Sequence, residues 1–115
     1  MLMDHVIDAK NKRLGRLATE IAVILQGKNT PRNEPNKRGD ERVLVKNASQ
    51  LDFSGVKVKE KIKYRHTGYM GHLREKTLEQ RLAQSPERVI RETVENMLPR
   101  NFLRAKRLNM LKIEK

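Results

Sequence analysis

The chain has 115 residues, with 26 Lys and Arg against 14 Asp and Glu, and a net charge of +12 with its three histidines neutral. Such a balance calls for an anionic partner, nucleic acid first and a membrane surface second, because a chain this basic repels itself when alone. The absence of cysteine excludes disulfides, cysteine zinc sites and thiol catalysis, and no apolar run reaches the length of a membrane span.

The opening MLMDHVID has neither the basic nor the apolar segment of a signal peptide, so a cytoplasmic protein is expected. The length fits one domain over residues 1–115 with a modest core. Residues 5–9 form a short apolar run, read as a first strand. A helix follows with apolar residues at Leu14, Leu17, Ala18, Ile21, Ala22 and Leu25, the spacing of one helical face. Gly27 stands at the position after the C-cap, where a left-handed residue ends a helix. Residues 29–40, rich in Pro, Asn, Gly and charge, read as a surface loop. Residues 42–46 carry the continuous Val43-Leu44-Val45 run of a buried, parallel-type strand. Strand, helix and strand in succession predict an α/β fold.

Residues 50–53, then Ser54-Gly55, then the segment from Val56 onward read as a hairpin with a two-residue turn. Its second arm is the most charged stretch of the chain. Lys57, Lys59, Lys61, Lys63 and Arg65 share one face of an extended strand, while Val56, Val58, Ile62, Tyr64 and His66 share the other. Exposed lysines protect strand edges, but five cations in register with one acid, Glu60, go beyond that need. They suit a polyanion backbone. The ladder runs into a glycine-hinged polar loop with Tyr64, Arg65, His66, Thr67, Gly68 and Tyr69, whose side chains suit stacking on bases and hydrogen bonding to 2′-hydroxyls.

Beyond that loop the chain is expected to turn helical at once. Thr77 and Gln80 match a capping box, and Ser85-Pro86 starts the next helix. Val89, Ile90, Val94, Met97 and Leu98 form that helix's expected buried stripe, and Pro99 ends it. Asn101 caps a third short helix with Arg104, Lys106 and Arg107, and residues 111–113 make a last edge strand. With Arg100 and Lys112 these cations form a second basic patch.

Other chemistries are weaker. Lys12, Arg13 and Arg16 flank the start of the first helix, where the macrodipole prefers acids, so a phosphate docked there competes with the reading of plain solvated cations. Gly27-Lys28-Asn29-Thr30 lacks the upstream glycine of a nucleotide-binding loop and ends a helix rather than opening one. His66 and His72 lack carboxylates or cysteines for a metal. They are conceivable as an acid–base pair of a small RNA-processing enzyme, although no nucleophile and orienting group surround them. A free regulator of mRNA or DNA is the remaining alternative.

The order Val6-Ile7-Asp8-Ala9, Leu14-Gly15-Arg16-Leu17-Ala18-Thr19, Gly27-Lys28, Gly39-Asp40, Val45 with Asn47-Ala48, Tyr64-Arg65-His66-Thr67-Gly68-Tyr69, Pro86-Glu87-Arg88-Val89-Ile90 and Met97-Leu98-Pro99-Arg100-Asn101 resembles the bacterial form of the universal large-subunit ribosomal protein L13 family. The resemblance runs over nearly the whole chain. It implies a three-layer α/β/α fold with a mostly parallel four-stranded sheet. It implies a non-enzymatic constituent of the large ribosomal subunit that binds 23S-type rRNA early in assembly and touches neighbouring ribosomal proteins, with no cofactor, metal, membrane or small-molecule substrate. Matched position by position, it places Arg13, Gly15, Arg16, Lys28, Tyr64, Arg65, His66, Thr67, Gly68, Tyr69 and Arg100 toward RNA. The basic ladder and Arg104, Lys106 and Arg107 join them as sources of charge. Met70-Gly71-His72, Asn96 and Arg104-Ala105 depart from the family pattern.

Overall fold

In a computed structural model, residues 3–31, 34–37, 41–52, 62–66, 68–71 and 73–114 are described. The frame is a parallel unit: strand β1 (Met3–Asp8), helix α1 (Leu14–Leu25) and strand β2 (Glu41–Lys46). Ile7 stands beside Val45, and Val6 beside Leu44. Parallel neighbours cannot be joined by a tight turn, so α1 serves as the crossover between them. The last strand, β5 (Leu111–Ile113), pairs with the other edge of β2, again parallel, with Val43 beside Leu111. The order β1-β2-β5 puts β2 in the centre, which accounts for its uninterrupted apolar run.

The helical stripe is realised as its spacing predicts. Leu17, Ala18, Ile21, Ala22 and Leu25 are buried, and Leu14 packs at the edge of the cluster. Gly27 adopts φ 76°, its N–H donates to the Ile24 carbonyl (2.9 Å) and the Lys28 N–H donates to Val23 (3.2 Å). These two bonds make a complete Schellman close, open to glycine because it has no Cβ to clash.

Among the described residues between β2 and β5 the chain forms a separate antiparallel pair and three further α-helices. Strands β3 (Ile62–His66) and β4 (Leu73–Thr77) are followed by α2 (Leu78–Gln84), α3 (Pro86–Met97) and α4 (Leu103–Leu108). The Thr77 hydroxyl accepts from the Gln80 N–H (3.3 Å) and the Gln80 side-chain oxygen accepts from the Thr77 N–H (3.2 Å), completing the capping box. Ser85 caps α3, with Pro86 at its first position. Asn101 Oδ1 accepts from the Leu103 N–H (3.0 Å), although Phe102 rather than Asn101 directly flanks α4. Arg91 of α3 donates to the carbonyls of Leu108 (3.2 Å) and Leu111 (3.1 Å), fixing the path from α4 into β5.

Ile90, Val94 and Leu98 join α1 over one face of the sheet, formed by Ile7, Ala9, Val43, Val45 and Leu111. At the rim of that face the buried Glu41 carboxylate meets the His5 ring. The opposite face carries Asp4, Asp8, Lys46 and Lys112, all exposed, with Val6 62% exposed and Asp4 paired to Arg42.

Among the described residues the parallel sheet has three strands, with helices over one face; the alternating polar residues of β1 and β5 suit solvent on the other. Other expectations change. Residues 73–77 are a strand, where helix was expected directly after the loop. The expected turn at Ser54-Gly55 and the arm over 56–61 lie outside the described residues. Met97 is 41% exposed rather than core; it ends α3, where its sulfur takes the Thr19 hydroxyl (3.6 Å).

Burial in this core sets a contrast in stability. Ile90→Ala is expected to cost about 2–5 kcal/mol, whereas Val6→Ala on the open sheet face is expected to change stability by less than about 1 kcal/mol. Urea denaturation of both variants checks this, and equal losses would contradict the one-sided core.

Candidate nucleic-acid interface

All five residues of β3 are exposed, as are Leu73, Arg74, Glu75 and Lys76 of β4. The ribbon therefore has solvent on both faces. Its register places Lys63 opposite Lys76 and Arg65 opposite Arg74, four cations on one face. Ile62 opposite Thr77, Tyr64 opposite Glu75 and His66 opposite Leu73 make the other. Like charges directly opposite each other destabilise a ribbon on a scale of about 0.2–1 kcal/mol per pair, and a lone two-stranded hairpin is already marginal.

What holds the ribbon in place is its link to the helices behind it. Glu92 of α3 binds both Lys63 of β3 and Arg81 of α2, and Lys76 Nζ donates to Gln84 Oε1 (3.1 Å). Burial opposes ionisation of Glu92, but the hydrogen bond and charge of Lys63, with Arg81 behind it, outweigh that and hold its carboxyl below the usual range.

Between the ribbon and helices α2 and α3 lies a groove of about 770 Å³. Its charged walls are Lys63, Arg65, Arg74, Lys76, Arg81 and Arg88, with Glu92 as the one carboxylate among the described lining residues. Arg74, Lys76, Arg81 and Arg88 were not found by sequence reasoning. The alternation Leu73-Arg74-Glu75-Lys76-Thr77 is a strand signal, and reading it would have paired two of these with the ladder. Arg81 and Arg88 lie on different helices, so only the fold brings them together. A second polar hollow joins Lys63 to Arg100 and Arg104, linking the end of the ladder to the C-terminal patch.

At the tip, Gly68 and Gly71 take φ 91° and 77°, backbone that side chains resist. The Gly68 N–H donates to His66 Nδ1 (2.9 Å), so the neutral ring carries its proton on Nε2 as a donor. Tyr69 is 74% and Met70 97% exposed. Thr67, like Lys57, Lys59 and Lys61 of the ladder, lies outside the described residues, as does His72. Among the described residues no group of three His, Cys, Asp or Glu is placed to hold a metal ion.

The remaining expected residues divide. Arg13, Gly15 and Arg16 are exposed at the start of α1, which has neither a side-chain cap nor an acid in its first turn. A Cβ added at Gly15 would meet nothing within 4 Å, so no internal packing demands glycine there. Lys28 lies at the far end of α1, roughly 18 Å away at 1.5 Å per residue, and does not join that cluster. The Thr19–Met97 contact brings the first half of α1 to the end of α3, close to the turn carrying Arg100. Arg104 is half-buried and pairs with Glu95 (3.6 Å); Lys106 is exposed with its amine 5.6 Å from the centre of the Phe102 ring. Arg107 departs from expectation: it is 3% exposed, follows Leu103 by four residues on the inward face of α4, and donates to the Lys37 carbonyl (3.4 Å). A basic run was read as a basic surface, whereas helical spacing turns this member inward.

The family model described as "Ribosomal protein L13" matches residues 3–114. The chain is 44% identical over 109 residues to the large ribosomal subunit protein uL13 of Chloroflexus aggregans, covering 95% of this chain and 76% of that protein. It is 41% identical over 114 residues to that of Synechocystis sp., covering 96% and 76%, and 41% identical over 109 residues to that of Clostridioides difficile, covering 95% and 76%.

The lowered pKa of Glu92 has a consequence for stability against pH. A carboxyl whose folded pKa lies below its ordinary value of 4.5 contributes stability above that value, and the contribution is lost as pH falls through the lower folded pKa. The stability difference between the wild-type chain and Glu92→Gln, followed by denaturation at stepped pH, is expected to be constant above about pH 6 and to shrink as the solution is acidified below 4.5. A difference that grows on acidification would contradict the ion-paired assignment.

Proposed function

Because the chain belongs to the ribosomal protein L13 family, we propose that it is a structural constituent of the large ribosomal subunit in the cytoplasm. On this reading it binds 23S-type rRNA, supports early subunit assembly and contacts neighbouring ribosomal proteins. It is a structural protein rather than an enzyme. No described helix is long and apolar enough to cross a membrane. The family's four-stranded, three-layer sheet is proposed as the complete form of the frame described above.

The observation that carries the proposal is the ribbon of β3 and β4, exposed on both faces with cations facing cations. A free protein gains nothing from that arrangement, whereas a polyanion neutralises it and releases counterions. Lys63 and Arg65, with Lys57, Lys59 and Lys61 beyond the described residues, supply general attraction. Tyr64, His66, Thr67, Gly68 and Tyr69 supply the contacts that read RNA shape and 2′-hydroxyls. Arg13, Gly15 and Arg16, then Arg100, Arg104 and Lys106, are proposed as flanking contacts and Lys28 as a separate one. Arg107 is assigned to the fold.

Sucrose-gradient fractionation tests the proposal: the chain is expected to co-migrate with the large subunit, and absence from ribosomal particles at moderate salt would refute it. If six to ten phosphates are contacted, rRNA affinity is expected to fall about a thousandfold or more between roughly 50 and 200 mM salt. Gly15→Ala gives a local test. Stability should hold or rise by up to about 1 kcal/mol, since alanine is the better helix former. A loss of rRNA affinity at unchanged stability places RNA against α1, and unchanged affinity removes Gly15 from the interface.

A further inference from the structure

We propose that the groove between the ribbon and helices α2 and α3 holds a single sugar–phosphate strand of RNA, with two successive phosphates seated on the facing pairs Lys63–Lys76 and Arg65–Arg74 and with Arg88 on the opposite wall. The inference rests on the reading of the chain as an rRNA-binding protein and assigns one site within it.

Geometry favours a periodic polyanion. Alternate residues of a strand lie about 6.6–6.8 Å apart, and directly opposite residues about 4.5–5.5 Å apart. The four cations therefore form a two-by-two grid whose long step suits a chain with one charge per repeating unit. Each step presents two cations to one anion; at Arg65–Arg74 a phosphate bridges a pair that otherwise repels itself, while at Lys63–Lys76 it adds to the Glu92 carboxylate already on Lys63. An acidic peptide would match that step only when fully extended with an acid at every second residue.

Size and charge point the same way. The groove's volume falls in the range of small-molecule pockets, about 300–1,000 Å³, enough for a nucleotide or two and too small for a double helix. Glu92 is already committed to Lys63 and Arg81 on the α3 side. Arg65, Arg74 and Arg88 remain exposed in the groove and carry planar guanidinium forks suited to phosphate oxygens. Tyr64 and His66 also border the groove, although their side chains leave the ribbon on the face opposite the four cations.

The test measures binding of a labelled oligouridylate to the full chain by fluorescence anisotropy across a salt series. Arg74→Gln is expected to lower the slope of log affinity against log salt by about 1, and Arg65→Gln with Arg74→Gln by about 2. Arg74→Lys should keep most of the slope. Lys46→Gln, an exposed lysine on the open face of the sheet, should change nothing. The melting temperature of Arg74→Gln should hold or rise, because one member of a repelling pair is gone. Weaker RNA binding by a chain that is no less stable is the signature of a ligand site.

Wild-type affinity and slope in both Arg74→Gln and Arg88→Gln would overturn the inference. So would polyglutamate binding the chain more tightly than the oligouridylate, which makes the groove a peptide site. A chain that joins the large subunit yet ignores the groove substitutions loses this inference and keeps the proposed function. A wild-type chain that neither binds RNA nor joins the particle loses both.

Discussion

The carboxylate of Glu92 is the point from which the charged ribbon hangs. The ribbon has no core of its own, and its two cross-strand cation pairs push its strands apart. One carboxylate on α3 takes Lys63 from the ribbon and Arg81 from α2, so three elements meet at a single partly buried acid. The pair is more than a surface salt bridge in effect, because it fixes the angle of an element that packing alone does not fix. The shape of the groove depends on that angle.

Behind Glu92 stands a frame that needs no help from charge. Val89, Ile90 and Val94 bury one side of α3, with Ile90 and Val94 packed against the same cluster as α1 and the parallel strands. Glu92 lies on the less buried side of the same helix. The amphipathic period thus does two jobs: apolar positions lock α3 to the sheet, and the intervening position presents the acid to the ribbon. The division largely separates stability from binding: Ile90 and Val94 hold the frame without lining the groove, and Val89 does both.

Much of the frame was legible because it follows local rules. The spacing of Leu17, Ala18, Ile21, Ala22 and Leu25, the glycine after α1, the Thr77–Gln80 box and the Ser85-Pro86 start are each decided within a few residues, and each stands as read. The site was legible only in part. Lys63 to His66 were read as a cationic strand, but its partner was missed, since Leu73 to Thr77 abuts a strong capping box and was absorbed into the helix. Pairing is a non-local fact, and with it went Arg74 and Lys76. Arg107 failed for the opposite reason: charge was given more weight than the four-residue spacing that sets it beneath Leu103 on α4.

A groove with six cations and one acid among its described lining residues is not simply a basic surface with a flaw. Without Glu92 the ribbon would carry full repulsion and be held only by the Lys76–Gln84 bond and by the junction of β4 with α2. With a second acid beside it, the facing pairs would be neutralised internally and the groove would have little left for a partner. A single carboxylate, placed on the rigid helix and shared by one ribbon lysine and one helix arginine, positions the ribbon and leaves Arg65, Arg74 and Arg88 unneutralised by it. The residual repulsion then acts as stored demand for an anion, satisfied only when a phosphate backbone lies between the walls. That links the oddest feature of the sequence, cations repeated at every second residue, to the ribbon where Lys63 and Arg65 face Lys76 and Arg74.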